Sequence, residues 1–121
     1  MTKARIDGDL TPVDFVSRSG DKFKIKATTK DKADVVVNIT GATIKFGLYD
    51  IVSNAEILAK TVGSGIVITD AVNGLYEVTV DAADTAALDG RHFHETEMTL
   101  VGDIRTVMVG IVNIKKDRVN A

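Results

Sequence analysis

Residues 70–81 read DAVNGLYEVTVD, and they decide the fold class. Asp70 to Gly74 is turn chemistry, with Asn73-Gly74 supplying residues that tolerate the backbone angles of a tight reversal. Tyr76, Val78 and Val80 then alternate with Glu77, Thr79 and Asp81. A period of two puts the three apolar side chains on one face and the polar ones on the other, which is a strand with one side buried.

Outward from this segment the same pattern recurs. Phe23, Ile25 and Ala27 alternate with lysines, and Ile44, Phe46 and Leu48 alternate with Thr43, Lys45 and Gly47. Val35 to Ile39 is a β-branched run, and Ile66 and Ile68 follow Gly63-Ser64-Gly65. The longest β segment is Arg91 to Val101, joined through Gly102-Asp103, a glycine-first pair suited to a two-residue hairpin, to Ile104–Lys115. Gly110 inside that last strand marks a bulge, a close approach of another backbone, or a gap in packing. Only Asp81–Leu88 has helical propensity, in Ala82, Ala83, Ala86 and Ala87 behind a capping aspartate, and it reads as a crossover. Short strands at regular spacing, with no long helical period between them, predict antiparallel sheets over βαβ units. The expectation is an all-β, immunoglobulin-like sandwich of about seven to eight strands.

The length of 121 residues suits one domain, since halves of that size would bury too little surface to fold alone. The expected boundaries are an arm over 1–19, the sandwich over 20–117 and a tail over 118–121. The arm has turn residues at Asp7-Gly8, the single proline Pro12, and an apolar patch of Val13, Phe15 and Val16 that the sandwich does not need. That patch is the candidate assembly surface. It either packs on a neighbouring subunit or folds back on its own sheet.

Fifteen basic and 17 acidic residues, mixed along the chain, leave no electrostatic footprint for nucleic acid or an anionic membrane. Lys22, Lys24 and Lys26 fall on one strand face, where a solvated surface is the simplest reading. No stretch approaches the roughly 18 apolar residues of a membrane helix, and Met1–Leu10 lacks a signal peptide's apolar core, so synthesis in a cytoplasm is expected. Without cysteine there are no disulfides, thiolate zinc sites or cysteine nucleophiles.

Catalytic and cofactor chemistry finds few footholds. His92 and His94 point the same way on a strand, but Glu95 and Glu97 fall on the opposite face, so a metal would lack its third ligand. Thr96, Met98 and Leu100 continue the histidines' row, which makes His94 a core or boundary residue. Ser17, Ser19, Ser53 and Ser64 lie in turn-like contexts outside any nucleophile elbow. Asp81 with Asp84, or Glu95 with Glu97, are carboxylate pairs that a solvated surface would equally carry. No glycine-rich phosphate cradle is present, and aromatics at 5% are thin for sugar or base stacking. The expectation is a protein without catalytic residues, cofactor or metal.

The run Gly20-Asp21-Lys22-Phe23, then Asn38-Ile39-Thr40-Gly41-Ala42-Thr43-Ile44, then Asp70 through Gly74-Leu75-Tyr76-Glu77-Val78-Thr79-Val80, is similar to a group of small phage virion domains. Asp84-Thr85-Ala86-Ala87-Leu88, Gly90, the strand around Phe93–Thr96, and Gly110 before Val112 and Ile114 extend the resemblance over about residues 20–115. These are the immunoglobulin-like domains at the N-terminus of upper baseplate proteins and in related tail and fibre proteins of bacteriophages and prophages. His94 stands where tyrosine is common in that group. The resemblance implies a non-enzymatic virion component made in the bacterial cytoplasm, assembling as a trimer or hexamer and with other virion proteins. Two alternatives accompany it: a capsid decoration or head-fibre module, and a bacterial cell-surface or carbohydrate-binding domain.

Overall fold

Alternating side chains make strands here wherever one side can be buried, and the computed structural model, which describes residues 2–6 and 12–116, contains nine of them. In chain order they are β1 (Thr2–Arg5), β2 (Phe15–Arg18), β3 (Phe23–Lys30), β4 (Thr43–Asp50), β5 (Glu56–Val62), β6 (Gly65–Asp70), β7 (Leu75–Val80), β8 (Gly90–Leu100) and β9 (Asp103–Lys115). A single helical turn, α1 (Ala82–Thr85), links β7 to β8. The all-β class and the short crossover match the sequence reading. The arrangement differs from it: the strands hydrogen-bond into one sheet, in the order β1-β3-β7-β6-β5-β4-β8-β9-β2, where two antiparallel sheets were expected. The sheet is mixed, because β1 pairs with β3, β5 with β6 and β2 with β9 in parallel.

One joint is thin. β5 and β6 share only the residue pairs Thr61↔Gly65 and Val62↔Ile66, and this joint divides the strand order into a four-strand wing (β1, β3, β7, β6) and a five-strand wing (β5, β4, β8, β9, β2). Inward residues of both wings form one core, including Ile25, Phe46, Leu48, Tyr76, Val78, Met98, Val112 and Ile114. β1 reaches β9 across the open side, and Ala4 is fully buried in the shared core.

Two local expectations are corrected, and the position of a bulge, left open by the sequence, is fixed. Val35–Ile39 is a loop carrying only the isolated bridge Lys30↔Val36, because the Asp31 carboxylate accepts the amides of Ala33 and Val35 and curls the chain before a strand can extend. The β8–β9 turn is Val101-Gly102, both at positive φ (51° and 84°), with Leu100 paired to Asp103. Leu100 packs on the core and so belongs to the strand, which leaves Val101 at the tip in a conformation that β-branched residues disfavour. The bulge of β9 lies at Val107, not Gly110: the register slips between Thr96 and Glu97, so consecutive Val107 and Met108 are both buried.

The described parts of the first nineteen residues run along both sheet edges. β1 is tied down by Lys3 Nζ and Arg5 Nη2, at 2.6 Å and 3.6 Å from Asp34 Oδ1, and by the Arg5 bond to the Asp31 carbonyl. The Lys3 ammonium holds the Asp34 carboxyl below its ordinary pKa. The sequence reading of Asp7-Gly8 and of the tail at 118–121 lies outside the described residues.

Candidate functional site

Gly110 is a close-approach site, one of the readings its position allowed. A Cβ there would lie 2.0 Å from the Val13 carbonyl oxygen and 2.8 Å from His94 Nε2. The chain entering β2 therefore crosses β9 in direct contact with its backbone. Val13 N–H donates to the Val109 carbonyl at 2.8 Å, and Ile111 N–H donates to the Asp14 carboxylate at 2.9 Å. The Val13 carbonyl accepts from His94 Nε2 at 2.6 Å, so the imidazole is the Nε2–H tautomer.

His94 is fully buried, its ring 5.2 Å from that of Phe15 and 5.9 Å from that of Phe46. Its Nδ1 has no hydrogen-bond partner. Burial pushes its pKa below the usual histidine value, opposed by the Val13 carbonyl and, more weakly, by Asp14. A fixed, neutral histidine that spans two strands and the N-terminal segment is a structural bolt. His92 shares its inward face, with Nδ1 3.1 Å from the Gly90 carbonyl. Among the described residues no three histidine, cysteine or acidic side chains gather closely enough to hold a metal ion.

The predicted assembly residues divide. Val13 and Phe15 pack against the chain's own core, whereas Val16 faces outward from β2 at 69% exposure. Ser53 and Ser64 are exposed in turns, and Ser17 lies half-buried on β2. Asp84 is engaged by Lys60 at 2.8 Å, which holds its carboxyl below the ordinary range, and it also accepts the Asp81 amide at 2.9 Å. Glu95 and Glu97 lie on the outward face, opposite the histidines as expected.

That outward face carries what the sequence reading missed. Tyr49 and Phe93 are directly opposed on β4 and β8, their ring centroids 6.5 Å apart at 48°. Tyr49 lies flat over Gly47, where a Cβ would meet its hydroxyl oxygen at 2.6 Å. Tyr49, Asn54, Phe93 and Glu95 line an open hollow of about 380 Å³. The period-two pattern contained the clue, since Tyr49 and Phe93 stand at polar-phase positions of their strands. A second hollow, about 630 Å³, lies beside Arg18, Asn113, Lys115 and Lys116 where β2 and β9 end.

Inside the core, Thr29 Oγ1, Tyr76 Oη and Thr96 Oγ1 are buried without a formed hydrogen bond. Burial raises the Tyr76 phenol far above its ordinary pKa; the Thr96 hydroxyl approaches it and works the other way, but short of proper bonding geometry.

No family model matches this chain, and no curated protein does. Among solved structures the likeness is to a domain of a phage protein. It is the N-terminal domain of phage TP901-1 ORF48, at 16% identity and a TM-score of 0.59, the match covering 96% of this chain and 100% of that one. At this identity the comparison shows a shared fold. It agrees with the phage-domain resemblance carried by the turn and core residues.

Proposed function

We propose that this domain is a non-enzymatic structural module of a phage or prophage virion, of the tail, baseplate or fibre-attachment kind, acting through protein–protein assembly. The observation that supports this reading is the end-to-end match of its fold to the N-terminal domain of a phage protein. The two wings, facing each other across one core, are on this reading the two layers of an immunoglobulin-like sandwich. Assembly as a trimer or hexamer would use the β2 edge, where Val16 presents an exposed apolar side chain and Val13 and Phe15 brace the strand from behind. Edge strands left unpaired are natural templates for a neighbouring chain.

Mass spectrometry of purified particles from the host, with immunogold labelling of the protein, tests the location. Label at the tail end supports the reading. Label on the head would favour a capsid decoration, and absence from the particles would overturn a virion role altogether.

A further inference from the structure

Three cross-strand pairs occupy the outer face of the five-strand wing: Lys45↔Glu97, Gly47↔Glu95 and Tyr49↔Phe93. Nothing in the core requires their chemistry. A glycine in mid-strand weakens the strand, yet here it is what lets the Tyr49 ring lie flat on the sheet. The result is a two-ring platform at the surface, with the Glu95 carboxylate lining its hollow and Glu97 one position further along the same face.

The charges around the rings are unbalanced. Lys45, the cation within the three pairs, is taken by Glu56 at 2.9 Å, and the Glu56 carboxylate keeps the ammonium protonated to higher pH than usual. Glu95 accepts a neutral hydroxyl, Thr106 Oγ1 at 3.2 Å. Arg91 stands two positions before Phe93 on the same strand face and is exposed. The Tyr49 phenol titrates higher than an ordinary tyrosine, first through burial, then with Glu56, Glu95 and Glu97 adding to it against Lys45. A cation would meet a ring face and a carboxylate together, and a planar guanidinium matches both.

We propose that the Tyr49–Phe93 platform with Glu95 and Glu97 is a docking site for an arginine side chain presented by a neighbouring protein. The proposal rests on the assembly reading above and adds the chemistry of one partner. The guanidinium would lie over the rings while its N–H groups donate to the carboxylates.

The test is an NMR titration of the ¹⁵N-labelled chain at low salt with the peptide acetyl-Gly-Arg-Gly-Arg-Gly-amide and with its citrulline counterpart, which keeps the shape and loses the charge. The arginine peptide should shift the amides of Gly47, Tyr49, Phe93 and Glu95, with affinity roughly fivefold or more above the citrulline peptide. Glu95→Gln/Glu97→Gln should remove that preference, and Phe93→Ala should weaken binding with both carboxylates intact. Unchanged melting temperatures would show that both variants remain folded. Shifts scattered over other acidic surfaces, equal binding of the two peptides, or binding indifferent to the Glu95/Glu97 changes would each overturn the proposal. None of these outcomes bears on whether the protein is found in particles, so the two readings fail separately.

Discussion

β4 has two neighbours, and they are built differently. On one side β8 pairs with it over eight residues and sends His92, His94, Thr96 and Met98 into the core, all buried. On the other side β5 pairs over five residues with a register shift, and none of its residues is fully buried; Leu58 and Lys60 turn inward only partway while Ile57 and Val62 face out. Beyond β8 the sheet is locked by β9 and the His94–Val13–Gly110 crossing, whereas beyond β5 it continues through two residue pairs. Strand content alone is therefore a poor guide to where the stability of this domain lies. It resides where side chains from non-adjacent segments meet.

The largest expected contrast is between the two flanks of β4. Phe46→Ala, which empties a fully buried site against the His94 ring, should cost about 4 kcal/mol in denaturant unfolding, and Leu58→Ala about 1 kcal/mol. Comparable losses would erase the distinction. Gly110→Ala comes next, at about 3 kcal/mol, because its Cβ would collide with backbone that cannot give way. Gly65→Ala should cost less, about 1 to 2 kcal/mol. There the main obstacle is a flexible Lys60 chain, leaving the positive φ of 99° as the penalty.

His94 adds a pH signature to the locked side. Its folded pKa lies below the 6.5 of an unfolded histidine, so below pH 6.5 the unfolded chain binds more protons and stability falls as pH falls; above 6.5 this contribution is complete. Asp34, Asp50 and Asp84, lowered from 3.8, add their own losses only at more acidic pH. In His94→Phe, which keeps a ring between Phe15 and Phe46, the decline between pH 6.5 and 5 should shrink whatever the variant's absolute stability. An unchanged slope would assign it to another group. A smaller effect, and a gain, is expected for Val101→Asn: asparagine accepts positive φ in a type I′ turn before glycine, so stability should rise by about 1 kcal/mol. Lys24→Ala, on an exposed strand face, should change stability by less than about 0.5 kcal/mol.

How much of this was legible depended on where partners lie. The inward rows of β3, β4, β7 and β8 follow alternation closely, and Phe46 and Val78 were readable as core from sequence because burial on one face leaves a local pattern. β5 was not readable, since its residues straddle the boundary and Lys60 occupies an inward position where an apolar residue would be expected. The parallel edges β1 and β2 were equally hidden: their pairing depends on segments 25 to 97 residues away, which no local window contains. Gly110 stood out in sequence, but the atom it makes room for belongs to Val13. The Tyr49–Phe93 platform escaped because outward aromatics break the alternation that marks a half-buried strand.

Native-state hydrogen exchange tests the asymmetry most directly. Amides of β8 and β9 that bond within the locked side, Thr96, Met98 and Val112 among them, should exchange only through global unfolding, with a denaturant dependence equal to that of the whole chain. The bonded amides of β5 should exchange through a smaller opening, at least about tenfold faster and with a shallower denaturant dependence. Equal protection across both flanks of β4, merging into one global transition, would contradict the account.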